Sequence, residues 1–167
     1  MNETNRQLGR MPNFHSLIRR RPTARATLTG SAAYPALWGR VRFYQTDYGV
    51  LVVAEFGGLP KATGRCDSPV FGFHIHGGAT CTGNGENPFA DAGSHYDPHG
   101  CPHPDHAGDL PPVFGADGNG FSAFLTNRFT VAEVVGKTVI LHAHPDDFMT
   151  QPAGNAGSRI ACGEIRR

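Results

Sequence analysis

LWGRVRFYQTDYGVLVVAEFGGL, residues 37–59, decides the fold. Leu37, Gly39, Val41 and Phe43 alternate with Trp38, Arg40, Arg42 and Tyr44, a period of two that sets one face of a strand inward. Residues 49–59 are rich in valine and end at glycines, which suits a second strand. Asp47-Tyr48-Gly49 between them has the chemistry of a hairpin connection. The same reading extends outward in both directions. TARATLTG (23–30) alternates, VFGFHIHG (70–77) and GKTVILHAH (136–144) read as buried strands, and ADGNG (116–120) separates PPVFG from FSAFLTN as a hairpin turn. About seven or eight short strands with no amphipathic helix predict an all-β chain, an antiparallel sandwich or barrel.

The chain has 167 residues, the length of one domain with a core of its own. Fifteen Lys and Arg stand against 14 Asp and Glu, so the overall charge predicts neither a nucleic acid nor a membrane as partner. No apolar run is long enough to cross a bilayer. Residues 1–22 carry Arg19, Arg20 and Arg21 in a row with no apolar stretch after them, and read as a flexible basic extension before a domain over 23–167. On that ground the expected location is the cytoplasm, with export as the alternative. The four cysteines, Cys66, Cys81, Cys101 and Cys162, are compatible with disulfides but do not define any pairing.

Two stretches break the strand rhythm: residues 78–109, rich in Gly, Pro, His, Asp and Asn, and residues 145–158. An irregular segment of about 30 residues in a compact domain is usually functional or disordered. Eight of the nine histidines lie between His74 and His144, in and around the first of these stretches. His74 and His76 stand two apart on a strand and leave it on the same face. With His142 from another strand they make a rigid imidazole set suited to copper. The loop adds His95, His99, His106 and Asp109, three nitrogens and one carboxylate suited to a closed, structural zinc site. A hydrolytic zinc site would need a glutamate base beside an open metal, and Glu86, Glu133 and Glu164 lie outside these stretches.

GFHIHG (72–77), GSHYDP (93–98), HAGDLP (106–111), LHAHPDD (141–147) and GNAGSRIACG (154–163) occur in this order. Together they resemble the motifs of the copper/zinc superoxide dismutases, over roughly residues 23–165. The resemblance implies a Greek-key β-sandwich or flattened barrel of about eight strands with two long functional loops. It implies copper on His74, His76, His95 and His142, and zinc on His95, His99, His106 and Asp109, with His95 shared. His103 is the alternative to His99, because the spacing from His99 to His106 is short. Asp146 would accept hydrogen bonds from a ligand of each metal. Arg159 would attract superoxide, and His95 would carry a proton while copper cycles between Cu(II) and Cu(I). Cys81 would pair with Cys162. Cys66 and Cys101 lie outside the family pattern and are expected to form a second disulfide, the alternative being two separate thiols. The implied assembly is a homodimer or a monomer.

Departures from the family pattern lie in the second loop. DDFMTQPAGNAGSR (146–159) is short, has neither Lys nor Glu between Asp147 and Arg159, and carries Ala153 where the family often has a threonine. Weaker steering of an anion follows. The competing reading is therefore a weak or inactive metal-binding relative.

Overall fold

The computed structural model describes residues 13–67 and 69–167. Nine strand segments run β1 (Ala24–Gly30), β2 (Trp38–Thr46), β3 (Gly49–Gly57), β4 (Val70–Phe71), β5 (Phe73–His76), β6 (Val113–Ala116), β7 (Asn119–Thr126), β8 (Thr138–His142) and β9 (Arg159–Glu164). Their lateral order is β4-β6-β7-β3-β2-β1-β9-β8-β5, antiparallel throughout. β4 and β5 are two halves of one strand, parted at Gly72, so the order begins and ends on the same stretch of chain. The result is an eight-strand antiparallel barrel. The helices among the described residues are single turns, α1 (Phe14–Leu17) and α2 (Val131–Val134).

The expected hairpin 37–59 is present with Asp47 and Tyr48 as its loop; Val41 faces Ala54 and Phe43 faces Val52 in register. In the second hairpin Asp117 and Gly118 both have positive φ, 50° and 82°, the conformation whose twist matches that of flanking strands. The run 70–77, expected as one strand, is broken because Gly72 changes partners. Val70 and Phe71 pair with β6, whereas Phe73–His76 pair with β8. A side chain at Gly72 would meet the Ala156 methyl at 2.8 Å, so the corner is closed to larger residues.

Alternation then divides β5 and β8 between two environments. Phe73, Ile75, Val139 and Leu141 point into the core with Val41, Phe43, Val52, Phe56 and Ile160. Ile140 points outward, against Ala92 and Cys162, and His74 lies opposite Ile140 in register. His74 and His76 are nonetheless fully buried, because the irregular segments 78–109 and 145–158 roof this outer face. The first segment contains one short 3-10 turn, Ala90–Ala92.

The N-terminal extension, expected as flexible over 1–22, is docked from Asn13 onward; residues 1–12 lie outside the described residues. Phe14 and Leu17 pack on Tyr44, Leu51 and Val53, and the Tyr44 hydroxyl donates to the Ile18 carbonyl at 3.3 Å. Arg19, Arg20 and Arg21 stay exposed. No helix among the described residues is long and apolar enough to cross a membrane.

Candidate metal centre

Two groups of buried ligands form under the roof. His74, His76, His95 and His142 make one; His95, His103, His106 and Asp109 make the other; in each, one ligand atom per residue lies within 4.8 Å of all the rest. His95 belongs to both.

Hydrogen-bond partners assign the ring nitrogens of the first group. His76 Nδ1 faces the Gly93 carbonyl at 2.8 Å and His142 Nδ1 faces the Gly157 carbonyl at 3.2 Å. Carbonyls only accept, so both Nδ1 atoms carry hydrogen and both Nε2 atoms present lone pairs. Those Nε2 atoms stand 3.2 Å apart, acceptor against acceptor. His74 Nε2 donates to Asp146 Oδ2 at 2.7 Å, leaving its buried Nδ1 without a partner. His95 Nδ1 donates to Asp109 Oδ1 at 2.7 Å, and its buried Nε2 is likewise unpartnered. Four lone pairs thus converge where no donor answers them, an arrangement that a cation satisfies. Burial drives the protonation of His74 and His76 below the usual imidazole value and pushes that of His142 down to about 3. Neutral imidazole is the form that binds copper.

The second group has a different donor set. Asp109 gathers His95 Nδ1 on Oδ1, and His106 Nδ1 lies 3.2 Å from Oδ2. His103 Nδ1 lies 3.1 Å from Asp109 Oδ2 in a geometry that makes no hydrogen bond, and it is otherwise unpartnered. Burial acts to raise the Asp109 carboxyl, but the His95 hydrogen bond and the surrounding imidazoles outweigh it and hold it below its usual range. Three nitrogens and an oxygen with every position supplied by protein fit a closed zinc site.

Asp146 ties the two groups together. Its Oδ2 accepts from His74 Nε2 and its Oδ1 accepts from His103 Nε2 at 2.9 Å. Each ring is thereby turned so that its Nδ1 faces its own group. Burial acts to raise this carboxyl too, and is outweighed by the hydrogen bonds from His74, the Phe148 N–H and His103, so it stays ionised far below the usual carboxylate range.

His99 is not in the second group. It is exposed, four residues before His103, in a turn whose N–H groups donate to Asp97 Oδ1. His103, 3% exposed, stands in the place expected for it. This loop has no repeating geometry to fix which side chain turns inward, so spacing alone favours His99 where the buried group holds His103. His144 is exposed as well.

Arg159 opens β9 at the rim of a cavity of about 530 Å³ lined by His76, His95, His142, Pro152, Ala153 and Gly157, among others. It is half-buried and fixed by carbonyls, donating to Phe89, to Ala90 at 3.3 Å and to Gly93 at 2.6 Å. Its charge has no carboxylate partner among the ion pairs of the described residues. Three residues on, Cys162 is bonded to Cys81, which pins loop 78–109 to the strand bearing the arginine. The second disulfide does not form: Cys66 is an exposed thiol and Cys101 a partly buried one. Cys101 is held in the 97–101 turn by its N–H to Asp97, and Cys66 belongs to a solvent-facing turn before β4.

Reading spacing alone missed Gln151 and Gly154. Gln151 donates and accepts at the His103 backbone. Gly154, at φ +64°, lets the loop pass against Asp146 and His103. Neither carries a sequence signal, since both act on residues distant in the chain.

The copper/zinc superoxide dismutase family profile matches residues 37–165. Among curated proteins, a superoxide dismutase [Cu-Zn] of Deinococcus radiodurans is 35% identical over 160 residues, covering 85% of this chain and 83% of its own. One of Legionella pneumophila is 34% identical over 140 residues, covering 79% and 80%. A third, from Aquifex aeolicus, is 32% identical over 143 residues, covering 77% and 78%. Fold, ligand groups and these matches agree, and the chain belongs to the copper/zinc superoxide dismutase family.

Proposed function

We propose that this protein is a superoxide dismutase, converting two superoxide ions and two protons into dioxygen and hydrogen peroxide. The observation that carries the reading is the convergence of four buried imidazole lone pairs beside an arginine with no carboxylate partner. Copper held by His74, His76, His95 and His142 supplies the one-electron exchange, and zinc held by His95, His103, His106 and Asp109 supplies fixed geometry.

The chain's own residues do the rest. Arg159 draws the anion into the cavity and orients it, its guanidinium pre-set by the carbonyls of residues 89–93. His95 is the residue placed to hold a proton, since it belongs to both ligand groups and its buried Nε2 has no partner. Asp146 fixes the rings of His74 and His103, so neither group can turn away from its metal.

Loading the protein with copper and zinc and following superoxide removal tests the reading. Copper-dependent activity is expected, and Arg159→Gln should lower it about tenfold and flatten its dependence on ionic strength. Zinc uptake without copper uptake would favour the inactive alternative.

The Cys81–Cys162 bond supports an oxidising compartment rather than the cytoplasm. For assembly, Phe114 and Phe121, 67% and 65% exposed on the outer faces of β6 and β7, support pairing of two copies. Sedimentation at micromolar concentration distinguishes that dimer from a monomer.

A further inference from the structure

The imidazoles of the first group stand largely on strands, where ladder hydrogen bonds fix the backbone. His103 belongs to no strand or helix. Its backbone is nonetheless paired on both sides, by one side chain. The His103 N–H donates to Gln151 Oε1 at 3.0 Å, and Gln151 Nε2 donates to the His103 carbonyl at 2.6 Å. A primary amide is the side chain that can satisfy one N–H and one C=O of the same residue at once, as an adjacent strand would.

The reach of Gln151 is set by its own loop. Asp147 Oδ1 accepts from the Met149 and Thr150 N–H groups at 2.9 and 2.8 Å, and Asp147 Oδ2 accepts from the Thr150 hydroxyl at 2.6 Å. The turn before Gln151 is therefore closed on itself. The same loop carries Asp146, which holds the His103 ring through Nε2. From the opposite side, Arg128 donates to the Pro104 carbonyl at 2.7 Å and the His106 carbonyl at 3.2 Å. His103 is gripped at backbone and ring by residues 146–151, and the peptide after it by Arg128.

We propose that Gln151 is a positioning residue for the zinc group: its amide serves in place of a strand partner and sets where His103 Nδ1 stands. This rests on reading His95, His103, His106 and Asp109 as the zinc site. A ligand must be held to within about 0.5 Å for a metal site to keep its affinity. Loss of such an outer contact typically weakens binding about 10–100-fold.

The test uses the full chain and zinc itself. Zinc affinity is measured by competition with a chelating dye, copper affinity likewise, and cobalt(II) in place of zinc reports ligand geometry through its visible absorption. Gln151→Met removes both contacts and should weaken zinc about 10–100-fold. It should also alter the cobalt spectrum and leave copper affinity within about twofold. Gln151→Glu keeps an acceptor for the His103 N–H and loses the donor to its carbonyl, so it should fall between; it also serves if the Met variant does not fold. Wild-type zinc affinity with an unchanged cobalt spectrum in both variants overturns the role. So does an equal loss at both metals, which would signify general loosening. If His103→Ala binds zinc as tightly as the wild type, the zinc reading itself fails, and the proposal with it.

Discussion

The two ligand groups meet at His95 but are built by different means. In the first, His74 and His76 come from β5 and His142 ends β8, neighbours in the sheet paired from Phe73 with Leu141 to His76 with Thr138. Their positions follow from the pleat. In the second, every ligand comes from the segment 95–109, which has no ladder of its own beyond isolated bridges such as His76 with His95 and His74 with Asp109. Its ligands are placed by side chains that arrive from elsewhere: Asp146 and Gln151 from one loop, Arg128 from the end of β7. A strand-borne site inherits its rigidity from the fold, whereas a loop-borne site must be braced contact by contact. The first, which depends on the loops only through His95 and the Asp146 contact to His74, should therefore suffer less from changes in them than the second.

The sharpest way to break that contrast is to remove ligands one at a time. His142→Ala should abolish copper binding and with it superoxide removal, down to background in a copper-loaded assay. His103→Ala should abolish tight zinc binding while copper still binds. His99→Ala should do neither, since that ring is exposed and outside the group. A zinc loss in the His99 variant and none in the His103 variant would reverse the assignment.

Next in size is the covalent tie between loop and barrel. Cys81 and Cys162 are 81 residues apart. In the chain-entropy account, closing a loop of that length contributes at most about 4–5 kcal/mol, so Cys81→Ala should lower unfolding free energy by up to that amount in urea titrations. The loss should fall most heavily on the loop. Arg159 is held by the Phe89, Ala90 and Gly93 carbonyls of the same segment, so anion steering should weaken in step.

Gly154→Ala is the smallest change and the finest probe. A methyl there would stand 2.0 Å from Asp146 Oδ1 and 2.6 Å from His103 Nε2, at a φ of +64° that alanine also disfavours. Zinc affinity should fall about 10–100-fold through the displaced Asp146, with a smaller loss at copper because His74 leans on the other oxygen. Equal losses at both metals would show that Asp146 moves as a rigid unit, and that the two groups are less separable than their construction suggests.

The residues themselves determined more of the first group than of the second, for a physical reason. Side chains two apart on a strand must share a face, so His74 with His76 could be read from local order, as could the two hairpins from Asp47-Tyr48-Gly49 and Asp117-Gly118. An irregular loop has no such period, so spacing favoured His99 where the buried group holds His103, whose backbone Gln151 reaches from 48 residues away. The break of 70–77 at Gly72 was hidden likewise, because only barrel closure makes one strand serve two neighbours. Cysteine count allowed a Cys66–Cys101 bond that the separate turns holding those residues do not form. Local alternation and turn chemistry thus determined most of the sheet and the shared face of His74 and His76. Long-range contact alone decided the third imidazole of the second group, the free thiols and the bracing of the loop, because those depend on which distant side chains the closed barrel brings together.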